Sequence, residues 1–232
     1  MACAVCPAVF AQDNYPEFDI FLGYSLLKIG EFDGINPGPG DLIGRLELEG
    51  YDRFPRNKSG FLEKGFIMTY TYHVTPNVGL DASFRYNTGY VYRVSGRDSE
   101  NSDRRKDMEF KRNDFAFLAG PRYTFRNVSG PVEPFLYGLV GFSRDRLVEE
   151  VTDVTGEQSS TSAASLRNHR SFAFAVGGGL DFPINGNLVV RAIQGDFYVT
   201  KHPARLYSTP GDAHKRFGNV NFSFGIVYRF GN

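Results

Sequence analysis

From Pro16 to the C-terminus, apolar residues recur at every second position rather than every third or fourth, in segments of ten or more residues. The first segment sets Phe18, Ile20, Leu22, Tyr24 and Leu26 against Asp19, Gly23 and Ser25. The second sets Phe66, Met68, Tyr70, Tyr72 and Val74 against Thr69, Thr71 and His73, and the third Leu80, Ala82, Phe84 and Tyr86 against Asp81, Ser83 and Arg85. Between them Pro76-Asn77 predicts a tight turn. A fourth places Phe115, Phe117, Ala119, Tyr123 and Phe125 opposite Asp114, Arg122, Thr124 and Arg126; Pro121, in the apolar row, predicts a local irregularity because it lacks a ladder donor. The fifth, residues 134–143, is apolar on both faces through Phe135, Tyr137 and Leu139, so its phase stays open.

The sixth segment alternates Phe172, Phe174, Val176, Leu180 and Phe182 with Ser171, Ala173, Ala175, Gly177, Gly179 and Asp181. In the seventh, residues 188–200, a bulge near Ala192 or Ile193 brings Arg191, Gln194, Asp196 and Tyr198 to one face, and Asn185-Gly186 before it predicts a hairpin turn. The eighth sets Val220, Phe222, Phe224, Ile226, Tyr228 and Phe230 against Asn219, Asn221, Ser223, Gly225 and Arg229. The connections alternate in length: 30–64, 94–112, 144–170 and 201–217 are long, whereas 75–78, 127–132 and 183–187 are short. Eight strands joined this way form an antiparallel up-and-down sheet with every long connection at one end. The charge, Gly, Pro and Ser of the long connections predict solvent-facing loops.

Composition decides which face is inside. With 22 Phe and 13 Tyr the apolar rows are too bulky for an eight-stranded interior, which ordinary side chains just fill. The reverse assignment puts rings and aliphatic groups outward and small or charged groups inward, so the outer surface must sit in lipid. Closing the sheet pairs every backbone N–H and C=O, the condition for β-structure in hydrocarbon, and strands of about 9 to 11 residues tilted by about 45° span it. Aromatic residues near segment ends, such as Tyr90, Tyr92, Phe125, Phe182, Tyr228 and Phe230, supply the interfacial girdles. The longest nearly apolar run, residues 135–142, is too short for a membrane helix. Lys+Arg and Asp+Glu are 26 each, so no global field favours nucleic acid.

Residues 1–11 read as the remnant of a secretory signal, with Val9-Phe10-Ala11 as the cleavage pattern, and residues 12–232 as a single barrel domain. Both cysteines, Cys3 and Cys6, fall in that leader, so no disulfide is expected in the remainder.

These features resemble the small eight-stranded outer-membrane β-barrels of Gram-negative bacteria, the OmpA-like transmembrane and opacity-type porin group, over residues 17–231. The most specific match is Ser223-Phe224-Gly225-Ile226-Val227-Tyr228-Arg229-Phe230, which looks like the family's assembly signal, with Gly225, Tyr228 and Phe230 carrying it. Gly177-Gly178-Gly179-Leu180-Asp181 and Gly120-Pro121-Arg122-Tyr123 also look like this family's barrels. The resemblance implies a bacterial outer-membrane location, short turns toward the periplasm, long loops outside, contact with outer-membrane lipid and lipopolysaccharide, and recognition of the last strand by the barrel-assembly machinery.

The candidate chemistry is internal. Asp81, Arg85, Arg122, Asp181, Arg191 and Asp196 are expected to form a structural polar network in the lumen, because buried charges are costly unless paired. Asp19, His73, Arg126 and Arg229 are also predicted inward, with periplasmic water as the alternative for Asp19, Arg126 and Arg229 near the strand ends. No catalytic, cofactor or metal site is expected. His73, His169, His202 and His214 show no ligand spacing, Asp212-Ala213-His214 lacks a matching acid pair, and no G-x-S-x-G elbow is present. In residues 97–112, Arg97, Arg104, Arg105, Lys106, Lys111 and Arg112 interleave with Asp98, Glu100, Asp103, Asp107 and Glu109, which predicts self-pairing; contact of rim basic residues with lipopolysaccharide phosphate is the functional variant. The expected role is structural or adhesive, non-enzymatic and monomeric, with a narrow ion channel and a lipid-A-modifying enzyme as the alternatives.

Overall fold

The computed structural model describes residues 15–28, 39–59, 62–98, 100–101, 103–126, 131–203 and 214–231. The elements in chain order are β1 (Phe18–Lys28), α1 (Pro39–Leu48), β2 (Arg53–Ser59), β3 (Leu62–His73), β4 (Val78–Arg97), β5 (Arg104–Thr124), β6 (Glu133–Thr155), β7 (Gln158–Pro183), β8 (Leu188–Pro203) and β9 (His214–Phe230). Each of β3 to β8 pairs antiparallel with its successor, β1 joins β3 on one side and β9 on the other, and the ring is closed. β2 does not widen the ring. It pairs with the far part of β4, from Arg53 opposite Arg97 to Ser59 opposite Tyr92, and so continues the line of β3. The wall is therefore an eight-stranded up-and-down barrel, as the alternation predicts. Among the described residues no helix is long and apolar enough to cross a membrane.

The polarity of the wall is inverted relative to a water-soluble barrel. Phe117, Phe174 and Phe222 are 50%, 39% and 47% exposed on the outside, with Leu22, Met68, Val140, Phe142, Val176 and Ile226 in the same band. The alternate residues, among them Thr69, Asp81, Ser83, Arg122, Ala173, Ala175, Asn221 and Ser223, are buried in the lumen. Rings couple across the outer face from strand to strand: Phe66 to Phe84, Phe84 to Phe117, and Phe117 to Phe142, at centroid distances of 5.6, 4.8 and 5.7 Å. Near the short turns Phe18 packs against Tyr70, Tyr72 and Phe230. Such a band is stable only against hydrocarbon, since water would leave it uncovered on every side.

The lumen is less spartan than small groups and ion pairs alone. The open phase of residues 134–143 resolves with Phe135, Tyr137 and Leu139 inward and Leu136, Val140 and Phe142 outward. With Phe21, Leu27, Ile67, Leu118, Tyr198 and Val227 they form apolar clusters inside the ring. The space for them comes from missing side chains: a Cβ on Gly179 would lie 2.7 Å from the Phe135 ring, so only glycine lets that ring cross β7. Bulges appear where the register demands them, between Arg191 and Gln194 and between Leu180 and Asp181. At Pro121 the β5–β6 ladder skips residues 120 and 121 without changing register, while Pro121 still faces Leu80 of β4.

Closure depends on the β1–β9 seam, where Gly23 faces Gly225. A Cβ on Gly225 would lie 2.1 Å from the Leu22 carbonyl oxygen, and one on Gly23 would meet the Phe21 ring at 2.4 Å. Gly225→Val is expected to lower sharply the fraction of compact, heat-modifiable barrel on an unheated gel. Gly138→Val, at a strand position with nothing within 4 Å, is expected to leave that fraction unchanged. Equal fractions for the two variants would remove the seam argument.

The loop expectations need correction. Residues 94–112 and 144–170 are not mainly loops: β4 runs to Arg97, β5 starts at Arg104, and β6 and β7 meet at a turn around Gly156, which adopts φ +60°. Residues 30–64 contain α1 and β2. The upper parts of β2, β4, β5, β6 and β7 therefore stand beyond the lipid band as a sheet, here called the crown. Leu46 and Ile43 of α1 pack onto it with Tyr51, Val94, Met108, Phe110, Leu147 and Val151. This is a second apolar core, and it lies over the outer end of the lumen. The expected leader, residues 1–11 with Cys3 and Cys6, lies outside the described residues, as do Asp212 and Ala213 and the side chains of His169, His202 and His214.

Candidate functional site

The candidate site has two parts, the polar network along the barrel axis and the crown above it. All six residues singled out for the lumen are inward and buried: Asp81, Arg85, Arg122, Asp181, Arg191 and Asp196 are each at most 5% exposed. Asp181 is the focus of the lower group. Its two oxygens accept from Arg191 Nε at 2.7 Å and Nη2 at 2.9 Å, and Arg122 Nη2 reaches the same carboxylate at 2.8 Å. A fork of this kind satisfies both partners in fixed geometry. The guanidiniums also stack on rings: Arg122 lies 3.9 Å from the Phe135 centroid, and Arg191 lies between Phe135 at 4.3 Å and Phe21 at 4.2 Å. Rings inside the lumen thus act as faces for cations as well as filler. Asp81 accepts from Thr71 Oγ1 at 2.7 Å.

The middle group centres on Asp196. Arg85 Nη1 donates to it at 2.7 Å, Tyr137 Oη at 2.8 Å and Asn221 Nδ2 at 3.2 Å, while Gln194 Nε2 donates to Tyr137 Oη at 3.0 Å and so ties the two groups together. Alternation predicts the inward direction of these residues. The pairings do not follow from it, because Arg85 and Asp196 are brought together across the lumen from β4 and β8.

At the turn end Asp19 and Arg229 are 1% and 5% exposed, so they are buried rather than bathed in water. His73 Nε2 lies 2.9 Å from Asp19 Oδ2 and 3.2 Å from Arg126 Nη2, and Arg229 Nη2 donates to Glu133 at 2.6 Å. Glu133 is a partner that sequence reasoning missed, because it opens the strand whose phase was open. His73 does not engage Ser83, whose hydroxyl accepts from Thr69 at 3.1 Å.

A further group lies toward the outer end of the lumen, level with the outward ring of Tyr90. Arg112 donates from Nε to Asp145 at 2.9 Å and from Nη1 to Glu63 at 3.4 Å, with Asp114 and Asn87 buried beside them. None of these residues was singled out for the lumen network. Their even spacing below Phe110 and Met108 was a signal, but it sits in a stretch charged on both faces.

Most charges of the crown are paired between elements. Arg93 meets Glu109 at 2.6 Å, Arg45 meets Glu149 at 3.3 Å, Lys111 pairs with Glu150, and Lys106 reaches Glu49 at 2.5 Å and Asp153 at 3.5 Å. Burial lowers the Lys106 pKa, but the hydrogen bond to Glu49 and the Asp153 charge outweigh it and the net shift is upward. The expected self-pairing within residues 97–112 holds for Arg104 with Asp98, Arg105 with Asp107 and Lys111 with Glu109; the remaining pairs named here are between elements. A different basic set, without an ion pair among the described residues, lies on the outer face. Arg144 and Arg170 face each other across β6 and β7, one step above Phe142 and Phe172, and none of the ion pairs among the described residues includes them or Arg146. Arg144 Nε donates to Asn168 at 2.7 Å and Arg146 Nε to Ser165 at 3.4 Å. Of the last-strand residues for which the resemblance implies an assembly signal, Gly225 faces the lumen at the seam and Tyr228 lies on the lipid side 6.2 Å from Phe230.

A family model described as outer membrane protein beta-barrel domain matches residues 1–230. The chain belongs to the outer-membrane β-barrel family. This places the protein in the bacterial outer membrane, in agreement with its lipid-facing band. Among solved structures, this outer-membrane barrel is similar to Ail, the attachment invasion locus protein of Yersinia pestis, at 19% identity, covering 93% of this chain and 99% of that one with a TM-score of 0.43. It is also similar to the Neisserial surface protein A, at 15% identity, 92% and 97% coverage and a TM-score of 0.47. OprG from Pseudomonas aeruginosa matches at 11% identity, 94% and 97% coverage and a TM-score of 0.45. No curated protein matches the barrel sequence.

Proposed function

We propose that this outer-membrane barrel is a sealed, non-enzymatic anchor that presents its crown to the cell exterior for surface interaction, structural or adhesive. The observation that carries this reading is the division of labour between the two parts. Below, the lumen is filled by charge pairs and stacked rings; above, β4 to β7 continue past the lipid band and form a second core with α1. A wall extended in this way lifts a rigid surface away from the membrane, whereas an eight-stranded bore leaves no aqueous channel. The short turns and both ends of the sheet then face the periplasm. The lumen residues act as a structural plug, His73 is held by Asp19 as part of it, and no catalytic step is assigned. Purified protein in planar bilayers is expected to show no steady unit conductance; reproducible openings altered by Arg122 or Arg191 substitution would replace this reading with that of a narrow channel.

The lipid partner in this reading is lipopolysaccharide, with its phosphates near Arg144, Arg146 and Arg170. These guanidiniums stand without carboxylate partners among the described residues, at the height where lipid tails give way to headgroups, and guanidinium matches phosphate in charge and fork geometry. Binding of lipopolysaccharide to the refolded barrel is expected to weaken several-fold in the Arg144→Ala, Arg170→Ala double variant and to lose its salt dependence. Equal affinity of the two proteins, or equal affinity for dephosphorylated lipopolysaccharide, would remove the site. The same reading assigns Gly225, Tyr228 and Phe230 to recognition by the barrel-assembly machinery and treats the folded protein as a monomer.

A further inference from the structure

The barrel wall has no edge because it is closed, but the crown has two. Its strands lie in the order β2, β4, β5, β6, β7. Among the described residues, β2 pairs with β4 alone, and β7 above Phe172 pairs with β6 alone. β8 meets β7 only from Phe172, opposite Lys201, downward. The adjoining connection, residues 204–213, departs from Pro203, two residues above Lys201, and even fully extended out and back it climbs at most about 17 Å. Ser162 stands about 25 Å above that point at about 3.3 Å per residue, so the tip of the edge, from Gln158 to Ser162, is beyond its reach. α1 packs elsewhere, onto Val94 of β4, Met108 and Phe110 of β5, and Leu147 and Val151 of β6.

An open edge is a row of backbone N–H and C=O groups ready to pair, and proteins guard such edges with charge, proline or a bulge. β2 has all three: Arg53, Arg56 and Lys58, Pro55, and a register shift between Arg53 and Arg56. β7 has none of them from Gln158 to Ser165, which reads Gln-Ser-Ser-Thr-Ser-Ala-Ala-Ser. Its own register shift comes lower, opposite Leu147 and Val148. Every residue from 155 to 165 is exposed, on both faces of the hairpin. The two edges of one sheet are thus treated oppositely, one blocked and one left open, with small side chains that let another strand come close.

We propose that the β7 edge pairs antiparallel with the same edge of a second copy, so that two crowns from facing membranes join in one continuous sheet. This rests on the reading of the crown as the interacting part and names its partner. Symmetry selects the arrangement. Copies in one membrane all point the same way, and a two-fold along the membrane normal sets each outward N–H level with its own counterpart, so no ladder forms. A two-fold perpendicular to the sheet reverses the strand and matches N–H to C=O whatever the tilt, but it places the copies in opposed membranes. Within its own membrane the protein stays a monomer. Charge agrees: Glu157 stands at the upper end of the neutral stretch and Arg167 and Arg170 beyond its lower end, so antiparallel pairing brings the acidic end of one copy toward the basic end of the other. With the two-fold near Ser162, the Arg170 levels of the two membranes lie about 40 to 50 Å apart, from the rise per residue and the tilt of barrel strands.

The test uses the full chain refolded into phospholipid nanodiscs, one barrel per disc, which leave both membrane faces open. Sedimentation should show discs pairing as concentration rises, and electron microscopy should show the pairs face to face across the gap given above. The double variant Thr161→Lys, Ser162→Lys should weaken pairing about tenfold or more, because the two-fold doubles every added charge, and so should Thr161→Glu, Ser162→Glu. An equimolar mixture of the two variants should recover it, and high salt should remove that recovery. Heat-modifiable mobility checks that each variant is folded; should a double variant fail to refold, Ser162→Lys and Ser162→Glu must show the same loss and recovery. Native discs that stay single at every concentration, pairing that survives the Lys variant, or a mixture no stronger than either variant alone would each overturn the proposal. Conductance is read on the same protein, so the two readings fail separately: single, silent discs overturn the pairing alone, whereas steady openings overturn the sealed anchor alone.

Discussion

Leu22→Arg is expected to destabilise the barrel by about 2 to 4 kcal/mol when unfolding is measured in lipid vesicles. Leu22 is 57% exposed and is the central member of the outward row Phe18, Ile20, Leu22, Tyr24 and Leu26. Its neighbours in register are Met68 and Ile226, so the guanidinium would sit in hydrocarbon near mid-depth with no partner in reach. An exposed Leu to Arg change on a water-soluble protein typically falls within about 0.5 kcal/mol. The two expectations differ enough for one measurement to separate them, and a change within the smaller range would put water, not lipid, against this face.

Asp181→Leu is expected to cost about 3 to 5 kcal/mol, the usual consequence of leaving buried charge without its partner. Here two guanidiniums lose one carboxylate, and Arg122 and Arg191 are each 2% exposed or less. The double variant Asp181→Leu, Arg191→Leu is expected to recover most of that loss, because it removes a balanced pair and leaves Arg122 beside Asp81. Urea unfolding of both variants in vesicles would provide the comparison. A small effect of Asp181→Leu alone would mean that water reaches the lower lumen and screens these charges.

Much of this architecture can be read from the order of residues, and its limits have particular causes. Parity predicts which way Asp81, Arg85, Arg122 and Asp181 point, because successive side chains of a strand alternate between two faces and only one face meets lipid. The bulge near Ala192 follows from the same rule, since only an extra residue brings Arg191 and Gln194 to one side. The rule is silent at Phe135, Tyr137 and Leu139, where both faces are apolar. There the glycines of β7 decide, by leaving room inside for a ring. It also fades at residues 94–112 and 144–170, which continue as strands while carrying charge on both faces. Beyond the membrane neither face needs to be apolar, and the ladder of backbone hydrogen bonds runs on without a side-chain signature.

By itself, then, the sequence determined the number of membrane strands, the face that all but the fifth turn to lipid, the closed topology and part of the set of charges that share the bore. These depend on local alternation and on the demand that hydrocarbon imposes on every backbone group. Only the tertiary structure decided the partners: Asp181 with both Arg122 and Arg191, Asp196 with Arg85, Glu133 with Arg229, Arg112 with Glu63 and Asp145, and α1 over the crown. Pairing across a lumen depends on strand tilt, bulges and register summed around the whole ring, and no single segment carries that information.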